Sequence, residues 1–168
     1  MHLFVPSKLE DYLLGEKPKV DCILCAIRDR DEKVVQIDVY RSQDMIISLN
    51  LYPYNPGHVM IFPNRHIKDI RELNEEETNQ IQSLTIKTLD VLDRLYAPSG
   101  YNIGYNMGNV AGASIEHLHL HIVPRYKNEL GFVDILSNSK IIVEDPRKTL
   151  ERLREAYADV AAGLVPAQ

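Results

Sequence analysis

Apolar residues recur along this chain at two spacings, and each predicts a different element. Between Glu75 and Tyr96, Ile81, Leu84, Leu92 and Leu95, with Thr88 between them, fall three or four apart. That is one buried stripe of a long helix. Asn74 is its N-cap and Glu77, three residues on, completes a capping box. Three successive glutamates occupy the first turn, where the helix dipole favours negative charge, and Pro98 and Gly100 stop the helix. Asp145-Pro146 opens a last helix with a cap and a first-turn proline, its stripe being Leu150, Leu153 and Tyr157. Ser7 to Leu14 reads as a short helix ended by Gly15, and Lys17 to Val20 as loop.

Shorter runs rich in β-branched and apolar residues predict strands at about 34–40, 45–51 and 58–62. Further strands are expected over Tyr101 to Met107 and His117 to Val123, with a short one at Ile141 to Val143. Tyr52-Pro53-Tyr54-Asn55-Pro56-Gly57 is a loop, marked by two prolines and a glycine. Strands in runs around one long helix predict an α+β fold: a mostly antiparallel sheet, the long helix and a C-terminal helix. The 168 residues suit one domain over 1–168.

Composition narrows the partners. No apolar stretch approaches the ~18 residues that a membrane helix needs, and no export signal is read at Met1 to Glu10. A cytoplasmic location with no membrane partner is expected. The net charge of −5, from 19 basic and 24 acidic residues, argues against polynucleotide binding, which uses a broad basic face. It leaves room for a small anion in a locally positive pocket. Cys22 and Cys25 are spaced C-x-x-C. In a reducing compartment they read as small core residues, a redox pair or metal ligands rather than a structural disulfide.

The sharpest chemical signal is His117-Leu118-His119-Leu120-His121-Ile122-Val123. In a strand, Leu118, Leu120 and Ile122 enter the core while His117, His119 and His121 line the other face, roughly 7 Å apart. Three readings follow: a solvated face, a metal site, or phosphate chemistry. For the last, a neutral imidazole is a nucleophile near pH 7 and a protonated one donates to phosphate oxygens. Glu116, the carboxylate next to the triad, is expected on the face away from the histidines. The upstream loop Gly104 to Ser114 favours phosphate. Gly108 and Gly112 let the backbone turn closely, and Asn106 and Ser114 add neutral donors.

Together these residues resemble the histidine triad superfamily of nucleotide hydrolases and transferases. Its His-x-His-x-His signature, followed by two apolar residues, is met over His117 to Val123. Asn55 to His66 resembles the second block of the family, and Cys22-Ile-Leu-Cys25 the early cysteine pair. The resemblance covers a core of about 20–127, leaving 128–168 as an extension. Asn50 to His58 and Gly104 to Gly112 look most like the diadenosine tetraphosphate phosphorylase branch. Ala113 stands where the family often has glutamine, and Tyr126 where that branch typically has tryptophan.

The resemblance implies a purine nucleotide substrate and no organic cofactor. His119 would attack the α-phosphorus and carry the nucleotidyl group, which water or phosphate then releases. His121 and Ser114 would contact the α-phosphate, with Asn106 and Gly112 in the same region and His117 completing the catalytic triad. Asn50 would hold the ribose and His58 would lie close to the triad. Ile46 and Leu51 are base-pocket candidates as well as ordinary core positions. Arg125 and Lys127 are candidates to offset phosphate charge. A structural zinc needs four ligands, and Cys22, Cys25, His66 and His117 supply four of the right kind. The family also implies a two-fold homodimer.

Overall fold

The computed structural model describes residues 3–4, 18–127, 141–142 and 145–161. The helix expected over Ser7 to Leu14 lies outside the described residues. Elements follow in chain order as β1 (Leu3–Phe4), α1 (Ile23–Arg28), β2 (Asp38–Arg41), β3 (Met45–Leu49) and β4 (Val59–Pro63). Then come α2 (Glu75–Tyr96), β5 (Gly100–Tyr105), β6 (Leu120–Arg125), β7 (Ile141–Ile142) and α3 (Pro146–Ala161). Single 3-10 turns form at Ile70–Glu72 and Asn109–Ala111.

Five strands form one antiparallel sheet in the order β2-β3-β4-β6-β5. β1 and β7 pair separately, in parallel. The α+β class is as expected. Helix α2 starts and ends where the pattern predicts, and Asn74 and Glu77 make the reciprocal capping box. Its end is a left-handed Ala97 (φ 43°) rather than a glycine. At α3, the Asp145 carboxylate accepts from the Arg147 N–H, capping the first turn.

β3 and β4 are buried on both faces, so each reads as an unbroken apolar run rather than an alternating one. On one face Ile47, Leu49, Val59, Ile61, Leu120 and Ile122 pack under Ile81, Leu84 and Leu92 of α2 and Leu153 of α3. On the other, Ile46, Met60 and Phe62 pack with Leu24 and Ile27 of α1 and with Val34. This second layer shares its face with the triad, because Met60 is the register partner of His121.

Several expected boundaries move. The strand at 34–40 is β2 at Asp38–Arg41, since Val34 sits in a turn with its N–H on Asp31 and joins the second core. β3 ends at Leu49, although Asn50 N–H still reaches the His58 carbonyl. β5 stops at Tyr105. The histidine strand begins only at Leu120. Upstream, its partner would be Pro63, which has no N–H to give, and Leu118 N–H bonds the Ile67 carbonyl instead.

Candidate functional site: two histidine clusters on one segment

All three triad histidines are buried, as is His58, so the triad does not form a solvated strand face. The structure divides them between two clusters. His119 and His121 meet edge to face at 4.6 Å between ring centroids, and His121 continues to His58 at 5.2 Å. His117 turns away, meeting His66 at 5.0 Å and the edge of Phe62 at 5.5 Å.

Backbone groups set the tautomer of each ring. A carbonyl only accepts, so the nitrogen bonded to it carries the hydrogen. His119 Nδ1–H donates to the His117 carbonyl at 2.7 Å, which leaves the Nε2 lone pair free. His58 Nδ1 accepts from the Tyr54 N–H at 3.1 Å, so its hydrogen is on Nε2 and points at His121 Nδ1, 3.0 Å away. His121 therefore keeps its hydrogen on Nε2. The Asn50 amide nitrogen, 3.4 Å from His58 Nε2, is the looser neighbour, and the Asn50 side-chain oxygen accepts from Tyr52 N–H. Two adjacent rings thus present opposite functions: a lone pair on His119 and an N–H on His121.

Burial keeps these rings neutral. It pushes His58 down to about 3, helped by the neighbouring His121 and His119, and His121 to about 4, helped by His119. His119 is also lowered by burial, against the opposing bond to the His117 carbonyl. A neutral His119 is the form that can attack phosphorus.

The loop preceding β4 holds this cluster. Gly57 (φ +78°) returns the chain to His58, and a Cβ there would lie 3.2 Å from the Tyr96 ring. Asn55 donates to the Pro124 carbonyl at 2.6 Å, and Tyr126 donates to the Pro56 carbonyl at 3.0 Å. Tyr126 thus braces the Asn50-to-His58 loop. The Tyr54 ring stacks on His58 at 4.9 Å. Neither the Tyr54 stack nor the carbonyls of His117 and Pro63 was singled out from the sequence; backbone acceptors leave no residue-type signal.

His117 has the opposite tautomer. Its Nε2–H donates to the Pro63 carbonyl at 2.8 Å, so the Nδ1 lone pair faces Cys22 Sγ at 3.6 Å and Cys25 Sγ at 3.5 Å. His66 Nδ1 lies 3.3 Å from Cys25 Sγ. The four donor atoms fall within 4.8 Å of one another. A zinc tetrahedron with ordinary Zn–S and Zn–N lengths has a sulfur-to-nitrogen edge of about 3.6 Å, so this donor set fits a zinc ion. Burial and the adjacent Cys22 push the Cys25 thiol up to about 11, against the opposing pull of the Arg28 guanidinium.

The remaining predicted residues scatter by role. Asn106 lies just past the end of β5, whose last register pair is Tyr105 with Leu120. Gly112 (φ +88°) lies against Asn106, a Cβ there being 3.8 Å from the Asn106 amide nitrogen. Ser114 is exposed in the same loop, and Leu51 is half-buried in the bend after β3. Ile46 is packed in the second core layer. Arg125 is not beside this loop. Arg125 ends β6, five residues from Leu120 or roughly 16 Å along the strand, and donates to Asn102. Residues 114–117 are not in the strand, so alternation does not apply, and Glu116 and His117 border one cavity.

The HIT (histidine triad) domain family matches residues 32–128, more than half of the chain. The chain belongs to this family. This HIT protein is 38% identical over 121 residues to the AP-4-A phosphorylase of Mycobacterium tuberculosis, a match covering 71% of this chain. The chain spans 62% of that relative's length. It is 33% identical over 108 residues to the uncharacterized HIT-like protein MJ0866 of Methanocaldococcus jannaschii, covering 64% of this chain and 81% of that one. Its fold is that of a Zn-bound histidine triad family protein from Mycobacterium smegmatis (TM-score 0.69, 24% identity, 85% of this chain and 97% of that one). A HIT family protein from Bacillus anthracis is also similar (TM-score 0.60, 27% identity, 87% and 98%). Among the described residues, no helix is long and apolar enough to cross a membrane.

Proposed function

We propose that this protein cleaves dinucleoside polyphosphates, diadenosine tetraphosphate in particular, at the α-phosphate through a nucleotidyl-His119 intermediate. The observation that carries this reading is the pair of opposed tautomers on His119 and His121. His119 Nε2 attacks the α-phosphorus in line. A P–N bond forms, and the bridging P–O bond breaks with its electron pair leaving on the polyphosphate. His121 Nε2–H donates to a phosphate oxygen throughout, and the His117 carbonyl accepts the His119 Nδ1–H as that ring gains positive charge. In the second step an acceptor oxygen attacks phosphorus, the P–N bond breaks, and the lone pair returns to Nε2. Positioning and charge stabilisation supply most of the rate in such transfers.

Phosphate is the proposed acceptor. The relative named AP-4-A phosphorylase and the Asn50-to-His58 and Gly104-to-Gly112 segments support this. Hydrolysis is the second reading. It is favoured by Ala113 in place of a longer polar side chain and by a relative in Schizosaccharomyces pombe named asymmetrical bis(5'-nucleosyl)-tetraphosphatase. Incubating the protein with diadenosine tetraphosphate, with and without phosphate, decides between them. Phosphate-dependent formation of ADP plus ATP supports phosphorolysis; AMP plus ATP at a rate indifferent to phosphate overturns it.

Cys22, Cys25, His66 and His117 are proposed to hold a structural zinc. When bound, it would cross-link the first turn of α1 and its N-cap to the segment whose carbonyl orients the proposed nucleophile. A homodimer in the cytoplasm, where the thiols stay reduced, completes the reading.

A further inference from the structure

Between the Asn106-to-Leu118 loop and the segment after β4 lies a cavity of about 210 Å³. Lys68, Asn106, Asn109, Glu116 and His117 border it. The placement matters, because the cavity is bordered by Asn106 and Gly108 of the glycine loop and by Leu118, the residue before His119. The cavity therefore lies along the glycine loop, one residue in sequence from the proposed nucleophile, and Gly108 and Gly112 of that loop both take positive φ. Lys68 is its cation. The Lys68 ammonium is paired with the Glu116 carboxylate, and both side chains are largely exposed, at 59% and 63%. An exposed pair of this kind is weak and changes partners at little cost. Two amides, one exchangeable ammonium and a turning backbone make a pocket suited to a phosphate group.

We propose that this cavity is a phosphate-anion subsite, in which Lys68 leaves Glu116 to bind a phosphate other than the one under attack. Lys68 then becomes a specificity-determining residue and Glu116 its resting partner, holding the ammonium at the rim until the anion arrives. The proposal rests on the phosphoryl-transfer reading above only for its place in catalysis. The anion is either the polyphosphate chain that departs in the first step or the free phosphate that attacks in the second. Both present the same chemistry to the subsite.

The test begins with binding, using inorganic tripolyphosphate as the probe in isothermal titration. Lys68→Ala is expected to weaken binding by tenfold or more, and Glu116→Gln to strengthen it several-fold by freeing the ammonium. An ion pair with only a structural role would make the two variants act alike, so equal losses or no change in either overturns the proposal. Both side chains are exposed, and unchanged thermal melting confirms that the variants fold. Kinetics then separates the sources. A raised KM for phosphate in Lys68→Ala, with the KM for diadenosine tetraphosphate unchanged, assigns the acceptor. A changed preference between tetraphosphate and triphosphate substrates assigns the departing chain. An active Lys68→Ala enzyme with neither change overturns the subsite and leaves the proposed function standing. Lys68-dependent tripolyphosphate binding by a protein that cleaves no dinucleotide does the reverse.

Discussion

His117 and His119 lie two residues apart on one segment, and the structure leaves opposite nitrogens of their rings free. His119 gives its Nδ1–H to the backbone of His117 and keeps Nε2; His117 gives its Nε2–H to Pro63 and keeps Nδ1. The His119 ring meets His121 edge to face, and the His117 lone pair faces two cysteines. One residue type, repeated in one motif, is thereby set up for the proposed nucleophilic chemistry in one place and for the proposed metal binding in the other. What differs is the acceptor that each ring meets. The roles are also linked, because the carbonyl orienting His119 belongs to His117.

Breaking the His119 side should have the largest effect. His119→Ala is expected to lose turnover by several orders of magnitude while nucleotide affinity, measured by titration calorimetry, stays within about tenfold, or ~1.4 kcal/mol. Turnover like that of the wild type would remove the covalent mechanism. His58→Ala should come next. It deletes the N–H that holds His121 in its tautomer, and a loss of about 10–100-fold in kcat is expected, the size seen for groups that orient a functional histidine.

The His117 side should respond differently. Purified protein should carry about one zinc per chain by elemental analysis, and Cys22→Ser should lose it and melt at lower temperature. Metal-free wild-type protein of equal stability would return the cysteines to the core. The smallest expected effect lies further out on this side. Arg65, next to the ligand His66, is clamped by Glu77 at 2.7 and 2.8 Å, and Glu77 also caps α2. Glu77→Gln should lower the melting temperature by a few degrees, about 1 kcal/mol, without changing kcat. The Arg65 guanidinium and the Asn74 backbone hold the Glu77 carboxyl below its ordinary range despite its burial. Because the folded value is the lower one, the stabilisation is present above the ordinary carboxylate range and is lost as the pH falls through it. The difference in melting temperature between wild type and Glu77→Gln should therefore be full at pH 7 and shrink in acid.

Helix α2 was legible to the residue, because its cap, stripe and stop are all local in sequence. So were the α+β class and the stripe of α3. The strand ends were not: β2 starts late because Val34 packs into the second core, and β6 starts late because its upstream partner is a proline. Arg125 and Lys127 were reasonable cations for the glycine loop by sequence distance, yet β6 carries Arg125 away from it. Lys68, distant in sequence, borders the cavity beside that loop.

The sequence by itself determined the family and the candidate residues: three alternating histidines, a cysteine pair and a glycine-rich loop. Only the tertiary structure decided how the histidines divide their work. Tautomer and orientation depend on which backbone carbonyl or N–H each ring meets. Those groups are the same in every residue, so no pattern of side chains along the chain announces them. The His117 carbonyl and the Tyr54 N–H come from two and four residues before the rings they orient, at 2.7 and 3.1 Å, whereas the Pro63 carbonyl reaches His117 at 2.8 Å because β4 is folded against the segment before β6.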